Sequence, residues 1–137
     1  MSKSDDAREA WLIMSDLVLD NQRRRQVAEA MGVSFGRSRA VRRLARKPMS
    51  MRELADAMEI DPGNATALVA ELIQMGLVQK KPHPTDGRVK LVEATRKGKA
   101  RARRADDILA TPPPALSALS EDDLETLRRI LGRVAER

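Results

Sequence analysis

Two short polar side chains, Asn64 and Thr66, stand near the start of a predicted helix that opens after Asp61. Pro62 lacks a backbone amide and suits the first helical position, and Gly63 adds no side chain, so another molecule can approach the backbone closely. Asparagine can bond N6 and N7 of adenine together, and threonine can offer a hydroxyl or rest its methyl group on thymine. The outward residues suited to reading base edges are Pro62, Gly63, Asn64, Thr66 and Ala67. The alternative is that Asn64 only helps Asp61 to cap the helix.

No catalytic or metal-binding set accompanies these residues. His83 is the only histidine, lies between two prolines, and has no cysteine to join it because the chain contains none. The absence of cysteine also excludes disulfides and thiol-based redox sensing. Asp122 and Asp123 are adjacent at a helix start, where carboxylates serve as caps rather than as a catalytic pair. The sequence therefore predicts a protein that is not an enzyme and that holds no metal or cofactor.

Positive charge is segregated along the chain, whose formal net charge is +6. Residues 22–47 hold nine Lys and Arg against Glu29 alone, and residues 79–104 hold ten against Asp86 and Glu93. Residues 48–78 between them hold only Arg52 against five acids. This division suits a protein that neutralises phosphates with its flanks and reads bases with short polar groups. A merely solvated basic surface is the alternative interpretation.

The segment 50–93 organises the chain as helix, turn, helix and β-ribbon. Ser50 and Glu53 form a capping box for the first helix, and Gly76 can take the left-handed conformation that ends the second. Strands are expected from Leu77-Val78 and over residues 89–93, with a polar wing tip between them. The second helix should bury the stripe Ala65, Leu68, Val69, Leu72 and Ile73. The predicted fold is mainly α with a two-stranded β wing, a winged helix-turn-helix.

The two ends of the chain carry apolar surface that a lobe of this size covers poorly. Residues 10–19, including Leu19, are apolar around almost the whole helix and must be covered on all sides, by a second chain or as a central helix of a monomer. Residues 21–25 are polar, and an apolar stripe then continues to Gly32. The last helix, opening at Ser120, should pack on a partner or fold back on its own lobe. Its stripe is Leu124, Leu127, Ile130, Leu131 and Val134.

Phosphate contacts are predicted at the start of the helix that Ser34 caps and Pro48 ends. Free amides and side chains there can clasp a phosphate. The predicted contacts are Ser34, Arg37, Ser38 and, on the wing, Lys81. The helix opened by Thr95 begins with cations and ends with acids, the reverse of what the helix dipole prefers, so stability alone does not explain it. Binding of DNA or an acidic partner helix would explain this order.

The chain has 137 residues, which predicts one domain. No run approaches a membrane span, and the first residues have no apolar secretory core, so we expect a cytoplasmic protein without a membrane partner.

Three motifs together resemble the MarR family of transcriptional regulators. They are the Glu-Leu-x-x-x-Gly-Leu-Val run from Glu71 to Val78, the Asp-x-Arg wing at Asp86 and Arg88, and the Thr-x-x-Gly helix entry at Thr95. The resemblance covers nearly the whole chain. It implies a homodimer on double-stranded, pseudo-palindromic operator DNA, with residues 1–32 and 108–137 as dimerisation helices and residues 33–107 as the winged-helix lobe.

The resemblance also implies roles for the wing and for a pocket. The wing residues would be Asp86, Gly87, Arg88 and Lys90, with the Asp86 carboxylate holding either the Arg88 side chain or the loop amides. Gly87 and Ala67 stand where the family often has arginines, which leaves Asn64 and Thr66 as the main base readers.

In the family a small-molecule pocket lies where the dimer helices meet the lobe, so the candidate lining is Trp11, Met14, Ser15 and Phe35. The alternative is that these aromatic residues are simply core. The resemblance predicts a repressor released by a small aromatic or phenolic ligand. The alternatives are an effector-independent architectural DNA-binding protein and a winged helix used for protein contact.

Overall fold

The computed structural model describes residues 2–19 and 22–136, with the side chain of Leu19 left aside. The described part is mainly helical with one small antiparallel sheet in the order β1-β3-β2. In chain order the elements are α1 (Lys3–Leu19), α2 (Arg23–Met31), α3 (Phe35–Arg46), β1 (Met49–Ser50), α4 (Met51–Met58), α5 (Pro62–Gln74), β2 (Val78–Pro82), β3 (Lys90–Ala94), α6 (Arg96–Ala110), α7 (Pro114–Ser117) and α8 (Glu121–Ala135). The winged helix-turn-helix is confirmed.

Side-chain caps begin the helices at the residues that the sequence predicts. Ser50 and Glu53 form both bonds of the capping box, each 3.1 Å long. The two hydrogen bonds from Ser50, backbone and side chain, lower the pKa of Glu53. Ser34, Thr95 and Ser120 each accept a backbone amide three residues on. These local bonds fix where the helices start and therefore which side chains their first turns present.

The core forms where α2 to α6 enclose the buried face of β3. Of the stripe predicted for α5, Ala65, Val69 and Leu72 are buried, and Leu68 packs partly buried against the core. Ile73 is a correction, because its side chain is 39% exposed. At about 100° per residue Ile73 lies near 80° from the direction of Ala65, at the edge of the stripe.

The sheet has one strand more than the sequence predicts. Met49 and Ser50 pair with Val92 and Leu91 of β3. The β2 and β3 strands pair from Val78 with Ala94 to Pro82 with Lys90. A two-residue strand shows no alternation of apolar and polar residues, so periodicity could not reveal it.

Neither terminal helix is covered by the rest of the described chain. No residue of α8 is buried, and residues 3–18 of α1 are exposed or half-buried. Trp11, Val18 and Val134 are 65%, 64% and 69% exposed. In this fold α1 is therefore not a central helix enclosed within a monomer, and α8 does not fold back onto the lobe. Residue 21, the first of the predicted polar run 21–25, lies outside the described residues, and so does residue 20.

None of the helices within residues 2–19 and 22–136 has the length and apolar character needed to cross a membrane.

The start of α6 is joined tightly to the end of α5. Thr95 donates its hydroxyl to the carbonyl of Gly76 at 2.6 Å and its amide to Leu77 at 3.0 Å. Lys97 Nζ donates to the carbonyl of Met75 at 3.1 Å. A Cβ atom on Gly98 would overlap the backbone carbonyl of Leu77. Only glycine allows this approach of helix to backbone.

Gly98→Ala should therefore destabilise the fold by about 3 kcal/mol, since two backbone segments must separate to admit the methyl group. Gly36→Ala is the matched control, because a Cβ there meets nothing within 4 Å and alanine favours the helix. Urea unfolding followed by circular dichroism measures both variants. Equal stability of the two would show that the joint between α5 and α6 is loose.

Candidate nucleic-acid interface

The first turns of α5 present the predicted base readers to solvent. Pro62, Gly63, Asn64, Thr66 and Ala67 are all exposed. Asp61 caps the helix by accepting the Asn64 amide at 2.8 Å, and its second oxygen accepts Asn64 Nδ2 at 2.8 Å. The Thr66 hydroxyl donates to the carbonyl of Pro62 at 2.9 Å.

These bonds orient the two side chains and leave each of them further hydrogen-bonding groups. The Asn64 amide has two hydrogens, and donation of one to Asp61 leaves a second donor and the Oδ1 acceptor. That donor and acceptor together are the pair that bonds N7 and N6 of adenine. Thr66 keeps its acceptor lone pairs and its methyl group. Asp61 is thus an orienting residue as well as the helix cap, and the sequence predicts only the second of these roles.

Several backbone amides of the wing tip donate hydrogen bonds within the loop. Asp86 Oδ1 accepts the Arg88 amide at 3.1 Å, which is the loop-amide form of the predicted contact. The Val89 amide donates to the Asp86 carbonyl at 3.1 Å, and the His83 amide donates to the Val89 carbonyl at 3.0 Å. Gly87, Arg88 and Lys90 remain exposed around this ordered loop.

His83 organises the wing tip, a role that sequence reasoning missed. Its Nδ1 lies 3.1 Å from both the Thr85 and the Asp86 amide nitrogens. Because backbone amides only donate, Nδ1 must be the unprotonated ring nitrogen in this arrangement. A polar side chain followed two and three residues later by free amides is a turn pattern known from Asn, Asp, Ser and Thr. The same offsets, applied to histidine, could have identified it.

The predicted phosphate contacts differ in how free they are. Ser34 accepts the Arg37 amide at 3.2 Å, and Arg37 itself pairs with Glu71 at 2.9 Å with both side chains nearly half exposed. Lys81 pairs with Glu93 at 2.9 Å. Ser38 is a correction: it is fully buried and donates its hydroxyl to the Phe35 carbonyl, so its side chain cannot reach a phosphate.

Glu93 holds Lys81 in place as a carboxylate. The Lys81 ammonium and then the Gln79 amide, which donates to Glu93 at 3.0 Å, lower the pKa of Glu93. Within the described residues, Lys80, Arg88 and Lys90 are the wing cations without such a partner, and all three are exposed. The wing therefore combines one neutralised cation, Lys81, with three that are available to an anion.

A hollow of about 570 Å³ lies between α1, α2 and the proline elbow before α7. Its lining is Ile13, Asp16, Leu17, Gln22, Arg23, Gln26, Pro113 and Pro114. None of the four candidate pocket residues is among them. Trp11 is exposed, Met14 and Ser15 are half-buried on α1, and Phe35 packs on the core with the Arg24 guanidinium 5.3 Å from its ring centre.

Comparison with known proteins agrees with this geometry. A model described as the MarR family matches residues 26–89. The HTH-type transcriptional regulator BilQ of Clostridium symbiosum (strain WAL-14163) is 33% identical over 110 residues, which span 77% of this chain and 76% of BilQ. In fold the chain resembles RV1404 from Mycobacterium tuberculosis, with a TM-score of 0.81, 20% identity and coverage of 98% and 93%. It also resembles apo MarR from E. coli, with a TM-score of 0.66, 20% identity and coverage of 93% and 96%.

The family match spans the helix-turn-helix and most of the wing, and the relative extends the likeness over three quarters of the chain. The chain belongs to the MarR family of DNA-binding transcriptional regulators.

Proposed function

We propose that the protein is a dimeric repressor that reads a pseudo-palindromic operator with two copies of α5 and the wing, and that a small aromatic or phenolic ligand releases it. The observation that carries this proposal is the pairing of an exposed, polar start of α5 with uncovered apolar helices at both chain ends. The start of α5 would read bases, and the apolar terminal helices would pack against a second chain. Acting on DNA, the protein would work in the cytoplasm.

Dimerisation is supported by the apolar surface of α1 and α8. Five large apolar side chains of α1 are exposed by half or more, namely Trp11, Leu12, Ile13, Leu17 and Val18. Ile130, Leu131 and Val134 of α8 add to them. Exposed apolar surface of this extent marks an interface. A second copy of the chain is the simplest partner for this apolar surface. A two-fold axis brings together the same two helices from each chain, and it places the two copies of α5 and the wing on a symmetric DNA site.

A ligand is supported by the hollow beside α1. Its volume of about 570 Å³ lies within the roughly 300–1,000 Å³ that ligand pockets occupy. Ile13, Leu17, Pro113 and Pro114 supply an apolar wall. An aromatic ligand would place its ring on this wall. A ligand there would shift α1 relative to the winged-helix lobe and so change the distance between the two copies of α5 in the dimer. Titration calorimetry with benzoate and phenol tests this step, and no heat with either would favour an effector-independent regulator.

Dimerisation through the terminal helices can be tested with charge. Val18→Glu combined with Val134→Glu should give a monomer, since each carboxylate would be buried unpaired in the interface while both sites are exposed in a single chain. Sedimentation velocity at micromolar concentration measures the state. Ala100→Glu, on an exposed position of α6, is the control and should remain dimeric. A monomeric parent protein would refute the proposal.

Base reading by Asn64 makes a separate prediction. Asn64→Ala should weaken operator binding roughly tenfold or more, because a good bidentate contact contributes about 1 to 3 kcal/mol of discrimination. Affinity for scrambled duplex and its salt dependence should stay unchanged, since no charge is lost. Fluorescence anisotropy on an operator selected from random duplexes, at two salt concentrations, measures both. Equal losses on the two duplexes, with lower thermal stability, would show that Asn64 acts only with Asp61 at the helix cap.

The acceptor role of His83 predicts opposite outcomes for two substitutions. His83→Ala leaves the Thr85 and Asp86 amides without their partner and should weaken DNA binding roughly fivefold, at about 1 kcal/mol for an unmade bond. His83→Asn places an oxygen acceptor near the position of Nδ1 and should restore binding. Amide hydrogen exchange at Thr85 and Asp86 reports the bonds directly. If the asparagine variant behaves like the alanine variant, the acceptor is not what orders the wing.

A further inference from the structure

A basic groove of about 290 Å³ runs between α3 and α6. We call it the α3–α6 groove. Its lining is Arg42, Ala45, Arg46, Lys99, Ala102, Arg103 and Asp106. Each helix contributes one alanine and two long cationic side chains to this lining. Four cations face one carboxylate, which leaves a local excess of three positive charges.

The fold does not use most of these cations. Arg42 pairs with Asp106 at 2.7 Å. For Arg46, Lys99 and Arg103, by contrast, the described residues provide no ion pair and no hydrogen bond, and all three side chains are exposed. Lys99 also lies within electrostatic reach of Glu93, which Lys81 already neutralises.

Other basic side chains of α6 do have structural partners, which makes the contrast clear. Lys97 donates to the Met75 carbonyl, and Arg101 donates to the Met31 carbonyl at 2.9 Å.

The arrangement costs stability in the free protein. Lys99 and Arg103 are four residues apart on α6 and repel each other, whereas Arg42, four residues from Arg46 on α3, is paired with Asp106. Lys99 also lies near the positive end of the α6 dipole, while Arg46 lies in the last turn of α3, where the dipole favours a cation. An anion bound in the groove would relieve the repulsion between the two cations of α6.

The groove lies away from the base-reading end of α5. Lys97 and Thr95 hold the start of α6 at the C-terminal end of α5. The base readers stand at the other end of this helix of 13 residues, which corresponds to about 20 Å at 1.5 Å per residue. The groove therefore does not border the base readers themselves.

We propose that the α3–α6 groove binds two neighbouring phosphates, carried either by a phosphorylated small molecule or by a DNA strand outside the half-site. Three excess positive charges match a diphosphate group and exceed what one carboxylate can neutralise. Arg46 and Arg103 offer planar forks from opposite walls that bond phosphate oxygens in pairs. An acidic helix fits less well, because Ala45 and Ala102 give no pocket for an apolar anchor.

The experiment compares two double variants of α6. Lys99→Gln with Arg103→Gln removes two cations of the groove, and Arg96→Gln with Arg104→Gln removes two exposed cations of the same helix that do not line it. Both lose the same charge and should fold, since none of the four side chains has a partner within the described chain. Without ligand, relief of the Lys99–Arg103 repulsion should leave the Tm of the groove variant equal to that of the parent or above it.

Inorganic pyrophosphate is the first probe. At ten times its Kd it should raise the Tm of the parent protein and of the control by about 5 °C. It should leave the groove variant unchanged, and sulfate at equal ionic strength should reproduce none of the shift.

A long duplex is the second probe, through the salt dependence of its binding. Two phosphate contacts contribute about 1.8 to the slope of log K against log salt. Loss of that amount in the groove variant alone, without a pyrophosphate shift, assigns the phosphates to DNA. A pyrophosphate shift with an unchanged slope assigns them to a small molecule. Identical behaviour of the two variants with both probes would overturn the proposal, whether or not the parent protein binds its operator.

Discussion

The contact of Gly98 with the Leu77 carbonyl sets the geometry on which the rest of the molecule depends. Three further bonds from the start of α6 reach Met75, Gly76 and Leu77, so the end of the reading helix, the root of the wing and α6 form one joint. Because α6 leads to Pro113, Pro114 and α8, this joint connects the C-terminal helices to α5 through backbone contacts.

Local hydrogen bonds also order the start of α5 and the wing tip. Asp61 fixes the start of α5 and turns Asn64, while His83 and Asp86 bind the wing amides. Exposed loops otherwise hold few bonds and move readily. Here the start of α5 and the wing tip are ordered by their own hydrogen bonds, and order of this kind lowers the entropic cost of association with a partner.

Some cationic side chains have partners within the fold, and others remain available to bind an anion. Arg37, Arg42 and Lys81 lie in ion pairs within the lobe, and Lys97 and Arg101 cap helix carbonyls. Cations without a partner in the described residues include Lys80, Arg88 and Lys90 of the wing and Arg46, Lys99 and Arg103 of the α3–α6 groove. Composition alone shows a basic protein, but only the pairing pattern shows which of its charges remain to attract an anion.

The sequence by itself determined the order of elements, their caps and the exposed face at the start of α5, because all of these rest on residues three or four apart. Ser50 with Glu53, Asp61 with Pro62, and Gly76 are signals that act within one helical turn. Tertiary structure alone decided what depends on residues distant in the chain. It exposed Ile73 at the edge of its stripe and buried Ser38, and it paired the short strand at Met49 and Ser50 with β3. It also brought Arg46 of α3 beside Arg103 of α6, across 57 residues of chain. Periodicity reports the direction in which a side chain points, and only packing decides whether another element lies there.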